Sequence, residues 1–144
     1  MNVVIMGCGR IGSRLATMLD AEGHRVSIID LNPDAFARLS PDFGGHTIVG
    51  TGLDEDVLKS AGIEEADAFV AVTTGDNRNI MASQIAKHVF NVPEVLCRIY
   101  DPVREDTYHT LGLDTVCPTT MISNHIREQL VATAARGRAA EPAG

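Results

Sequence analysis

The run Val3-Val4-Ile5-Met6-Gly7-Cys8-Gly9-Arg10-Ile11-Gly12-Ser13-Arg14-Leu15 decides the fold. Its apolar residues are continuous rather than alternating, as in a parallel strand buried on both faces. Gly7-Cys8-Gly9-Arg10-Ile11-Gly12 matches G-x-G-x-x-G. That pattern is weak alone and gains weight where a strand precedes it and an amphipathic helix follows. Ile11, Leu15, Met18 and Leu19 supply the helix, at i, i+4, i+7 and i+8 on one face. In such a loop the first glycine permits a tight turn, and the second admits a pyrophosphate without a Cβ in the way. The third lets helix pack on strand. The first helical turn then offers free N–H groups and a positive dipole end to phosphates.

Outward from the loop, Asp30 closes the next apolar run, eighteen residues past Gly12 and near the ~20 expected of a ribose-binding acid. A carboxylate there accepts from both ribose hydroxyls and repels a 2′-phosphate. Leu31-Asn32-Pro33 follows, with no arginine to receive one. The expected ligand is therefore NAD(H) or ATP/ADP, between which Asp30 does not choose. Leu31 is assigned to the site beside it. Arg10 either reaches phosphate oxygens or stands exposed in the first turn, and Cys8 is either a redox-active thiolate or a small filler.

Short apolar runs at Asn2–Met6, Arg25–Ile29, Thr47–Val49, Ala68–Val72, Val95–Ile99 and Thr115–Cys117 read as six strands. Helical patterns alternate with them, opening near Pro33 (capped by Asn32), Asp54, Asp76 or Asn77, and Pro102. Strict alternation predicts a Rossmann-like, doubly wound α/β fold with a parallel sheet in the order 3-2-1-4-5-6. The crevice then opens between strands one and four. Thr73, Thr74 and Asn79 at the exit of the fourth strand are candidate contacts, with Asp76 and Thr74 also placed to cap a helix. Thr51 and Leu53, past the third strand, border the expected base. A last helix, capped by Thr119 or Thr120, aligns Ile122, Ile126, Leu130 and Val131. The expected organisation is a nucleotide-binding domain over 1–118, a closing helix over 119–135 and a flexible tail over 136–144.

The 144 residues carry nineteen acids against twelve lysines and arginines, a formal charge of −7. That acidity excludes nucleic acid as a partner and argues against anionic lipid surfaces. No apolar run approaches the ~20 residues of a membrane span, so no direct insertion is expected, and the start lacks a basic leader. Three widely spaced cysteines fit neither a disulfide framework nor a metal site, and suit a reducing, cytoplasmic setting. None of the five histidines pairs with an acid or nucleophile in a catalytic spacing, and the fold fills the chain. The expectation is binding without catalysis; the competing reading is the cofactor domain of an NAD-dependent oxidoreductase lacking its substrate domain.

The residues also resemble a known family. Gly7–Gly12, Ile28-Ile29-Asp30, and Leu58-Lys59-Ser60-Ala61-Gly62-Ile63-Glu64-Glu65-Ala66-Asp67-Ala68 are similar to the RCK N-terminal, or TrkA-N, domain. Val72-Thr73-Thr74-Gly75-Asp76-Asn77-Arg78-Asn79-Ile80, Arg98-Ile99 and Leu111-Gly112-Leu113-Asp114 extend the likeness over roughly 1–135. The resemblance implies a regulatory subunit of a prokaryotic potassium channel or transporter that binds NAD(H) or adenine nucleotides. It implies a homodimer or higher ring, with the last helix crossing to a partner, docked on a membrane potassium-translocating subunit at the cytoplasmic face. By position it implies contacts at Gly9, Arg10, Ile11, Asp30, Thr73, Thr74, Asn79 and Arg98. Gly50-Thr51-Gly52-Leu53 departs from the family's common Gly-Asp-Ala-Thr run, so backbone contacts to the adenine are the ones expected to survive there. Nothing corresponds to the family's C-terminal subdomain, so the chain is a stand-alone N-domain or a piece of a longer protein.

Overall fold

The apolar runs pair as six parallel strands: β1 (Asn2–Met6), β2 (Arg25–Asp30), β3 (His46–Val49), β4 (Ala68–Ala71), β5 (Glu94–Arg98) and β6 (Thr115–Val116). Their order in the sheet is β3-β2-β1-β4-β5-β6, as the alternation predicts. The computed structural model describes residues 1–140. Both faces of β1 are buried: Val3 and Ile5 pack with Val26, Ile28 and Ala16 on one side, Val4 and Met6 with Leu58, Phe69 and Ala82 on the other. This two-sided burial is why the runs are continuous in sequence.

Helix α1 (Arg10–Ala21) covers the first face, and α2 (Glu55–Ser60) and α3 (Asp76–Gln84) cover the second. α3 continues through a wider π-type turn over Ile85–Val89. α4 (Pro102–Thr110) closes the β5–β6 end, where Ile80, Cys97, Ile99 and Leu113 cluster against Tyr108. Asp101 caps α4 by accepting from the Val103 N–H, a cap the sequence reading did not assign.

The segment after β2 is a 3-10 turn over Pro33–Arg38, with Asn32 accepting from the Asp34 N–H as expected of its cap. It does not lengthen into an α-helix because Leu39 is already extended and Ser40 precedes Pro41, which disfavours helical backbone before it. The last helix, α5 (Pro118–Ala140), starts ahead of both threonines expected to cap it. It is helical over 136–140, where a tail was expected; residues 141–144 of that expected tail lie outside the described residues. From Met121 to Ala139 every side chain on α5 is exposed, so its apolar stripe does not pack on the chain's own sheet.

Candidate functional site

Because β1 lies between β2 and β4, the connections leaving β1 and β4 diverge, and a crevice opens at their carboxyl ends. A cleft of about 600 Å³ lies there. Met6, Ile29 and Val72 border it at the strand ends, and Gly7, Gly9, Arg10 and Ile11 border it from the glycine loop. Asp30, Leu31 and Thr51 line the β2–β3 side, and Thr73, Thr74 and Arg98 the β4–β5 side.

The glycines divide their work. Gly7 has φ +109°, in the left-handed region, and a Cβ there would meet the Val72 and Thr73 backbone at 3.0 Å. A Cβ on Gly12 would stand 1.8 Å from the Gly7 carbonyl oxygen. Gly12 therefore lets α1 pack on the loop and does not itself line the cleft. Gly9 is different: a Cβ there would meet nothing within 4 Å, so the space above it is open. That opening is where an anion can approach the first N–H groups of α1.

Helix capping follows the same division. α2 and α4 are capped by the side chains of Asp54 and Asp101. α1 and α3, the two helices that start at the cleft, are preceded by Gly9 and Gly75 and have no side-chain cap. Their first-turn N–H groups are left for solvent or an anion. Neither Thr74 nor Asp76 caps α3. Asp76 instead accepts from the Tyr100 N–H at 3.0 Å and the Asp101 N–H at 3.5 Å, tying α3 to the β5–α4 loop.

Asp30 holds the loop as well as facing the cleft. One carboxylate oxygen accepts from the Cys8 N–H at 2.8 Å and the other from the Asn32 N–H at 2.8 Å. A carboxylate has about four lone-pair directions, so each oxygen retains one for a ribose hydroxyl. Cys8 is fully buried, and burial, reinforced by the Asp30 charge, pushes its thiol pKa up. It is a small filler whose thiolate is disfavoured, and the redox alternative fails on that burial.

On the far side, Arg98 ends β5 and stacks over the Tyr100 ring at 4.1 Å. Its Nη2 donates to the Tyr100 hydroxyl and its Nη1 reaches the Val72 carbonyl at 3.5 Å. Burial lowers its pKa, against the opposing charge of Asp76, and its Nε has no partner among the described residues. An orphaned donor beside the cleft fits an anionic ligand.

Asn79 does not face the cleft. It is 0% exposed. Its carbonyl oxygen accepts from the Thr73 N–H at 3.0 Å and hydroxyl at 2.6 Å, and its NH2 donates to the Thr73 and Arg98 carbonyls at 2.9 and 3.0 Å. All four hydrogen-bonding positions of the amide are used, so Asn79 builds the β4–α3 loop rather than touching a ligand. Leu53 likewise packs into the core, while Thr51 borders the cleft. The sequence reading omitted Asn32, Gly50, Arg78 and Tyr100, which also line it. For Arg78 a signal existed: a cation in the first turn of a helix, where no dipole benefit explains it.

A family model for the TrkA-N domain matches residues 3–119. The chain belongs to the TrkA-N domain family. Over its whole length it is 45% identical to the Trk system potassium uptake protein TrkA of Streptomyces coelicolor, and covers 65% of that protein. The chain spans about 60 to 65% of the first curated relatives that it matches. Among solved structures, the TrkA-N domain of inner membrane protein ybaL from Escherichia coli superposes with a TM-score of 0.79. That match is 18% identical and covers 90% of this chain and 96% of the other. The AMP-bound Kef CTD of Shewanella denitrificans gives a TM-score of 0.77 at 21% identity, over 92% and 80% of the two chains. The TrkA-N fold is thus common to proteins whose sequences have diverged widely.

Proposed function

We propose that this TrkA-N domain is a nucleotide-sensing module of a potassium uptake system, binding NAD(H) or ATP/ADP in the β1–β4 cleft without transforming it. The observation that carries this reading is convergence. Two helix N-termini without side-chain caps, the Asp30 carboxylate and the orphaned Arg98 donor meet at one cleft. The AMP held by the Kef relative and the potassium uptake named for the Streptomyces relative support it.

In this reading Asp30 accepts from the ribose hydroxyls, the Gly7–Gly12 loop with Arg10 and Ile11 holds the diphosphate, and Leu31 and Thr51 border the adenosine. Thr73, Thr74 and Arg98 meet the distal part. Sensing requires that ligand bind two arrangements of an assembly with unequal affinity. The exposed stripe of α5 supports a homodimer or ring, seated at the cytoplasmic face on a membrane potassium-translocating subunit. Among the described residues no helix is long and apolar enough to cross a membrane.

The test is calorimetric titration of wild type and Asp30→Ala with NADH, ADP and ATP. Loss of a charge-assisted acceptor should weaken binding about tenfold or more, with the circular dichroism spectrum retained. Equal affinities in the two proteins would remove Asp30, and the ribose position with it, from the site.

A further inference from the structure

We propose that Arg104 of α4, outside the cleft, is a positioning residue for nucleotide binding: with two amides of the β5–α4 loop it holds the Asp76 carboxylate off the first turn of α3 and keeps that turn open to phosphate. The inference rests on the nucleotide reading of the cleft and adds a residue that the ligand does not touch.

The two helices that begin at the cleft differ in one respect. Neither has a side-chain cap, but α1 carries no acid in its first turn, whereas α3 opens on Asp76. A carboxylate there answers the positive end of its own helix. Left free, it would compete with an anionic ligand for the same N–H groups and repel its charge. An acid at the mouth of an anion site is a liability unless something draws it away.

The β5–α4 loop and α4 draw it away. One Asp76 oxygen accepts from the Tyr100 N–H at 3.0 Å. The other accepts from the Asp101 N–H at 3.5 Å and lies 3.9 Å from Arg104 Nη1. Arg104 Nη2 also donates to the Asn77 side-chain oxygen, so one guanidinium spans the first two residues of α3. Neither Asp76 nor Arg104 borders the cleft.

The place of Arg104 points the same way. It sits in the first turn of α4, where the helix dipole disfavours a cation, and among the described residues both its polar contacts are to α3. Asp76 has a competing attraction in Arg98, whose charge it supports against burial. Released from Arg104, the carboxylate has the α3 amides and Arg98 to turn to, the groups that an entering anion would meet. The pair is long and the Arg104 side chain is 35% exposed, so it adds little to fold stability. Its consequence belongs to binding.

A double-mutant cycle on the full chain, read by calorimetry with ADP and with NADH, tests this. For each nucleotide that the wild type binds, Arg104→Ala should weaken affinity about fivefold, the scale of one charge at a helix terminus. Arg104→Lys should recover part of it. Asp76→Asn keeps an acceptor for the Tyr100 amide and removes the charge, so it should bind at least as tightly as wild type. In the Asp76→Asn background, Arg104→Ala should then change affinity less than about twofold, because the charge it restrained is gone. Circular dichroism and the urea midpoint should stay close to wild type throughout. An equal loss from Arg104→Ala in both backgrounds, as a purely structural role would give, overturns the proposal. So does an Arg104→Ala protein of wild-type affinity, or an Asp76→Asn protein that binds more weakly. A wild-type protein that binds neither nucleotide overturns the nucleotide reading itself.

Discussion

A β-carbon on Gly12 collides with a backbone oxygen, which no rotamer change relieves, whereas one on Gly9 projects into open space. Gly12→Ala should therefore cost about 3 kcal/mol, the range of overpacked positions, seen as a lowered urea midpoint. Gly9→Ala should stay within about 1 kcal/mol of wild type yet weaken nucleotide binding, because its Cβ enters the space above the α1 N–H groups. Equal stability losses would contradict this division. The glycine spacing was legible because each position answers a backbone requirement that only glycine meets. Arg78 and Asn79 were not. Successive helical residues point about 100° apart, and nothing in Asn77-Arg78-Asn79 tells which side chain turns inward. Burial of Asn79 is decided by carbonyls of Thr73 and Arg98, the latter nineteen residues away, and that pairing leaves Arg78 facing the cleft.

Among the elements, strands were the easiest to read, since burial on both faces writes continuous apolar runs into the sequence. The segment at Pro33 was harder, because its start signal matches that of a full helix and only Pro41 sets its length. α5 carries the other lesson of this scale. Its periodicity announced a helix, and periodicity cannot say what covers the apolar face. Ile122, Ile126 and Leu130 are 60%, 53% and 65% exposed, which is costly for a helix left in water. If the helix pairs copies of the chain, Ile122→Ser, Ile126→Ser and Leu130→Ser together should reduce the light-scattering mass from at least a dimer to the monomer. Nucleotide affinity of each cleft should stay within about threefold, since α5 contributes no cleft residue. A wild-type protein already monomeric at high micromolar concentration would contradict the pairing.

At the scale of the whole molecule, net charge hid a local exception. An acidic chain gathers three arginines, none in a described ion pair, at the place where the sheet order reverses. Topology made that place predictable, and the family resemblance named Arg10 and Arg98 there; Arg78 was the arginine it left out. The molecule also carries its own control. A second cavity, about 510 Å³, lies toward the opposite ends of the strands and is bordered by Asn2, His24, His46 and Glu65. Amide chemical-shift mapping by NMR during titration with ADP therefore tests the central claim most directly. Binding at the β1–β4 cleft predicts shifts concentrated at 7–12, 30–32, 73–78 and 98–100, with the amides around His24 and His46 unmoved. Shifts centred on the opposite cavity, or none at saturating ADP, would contradict it.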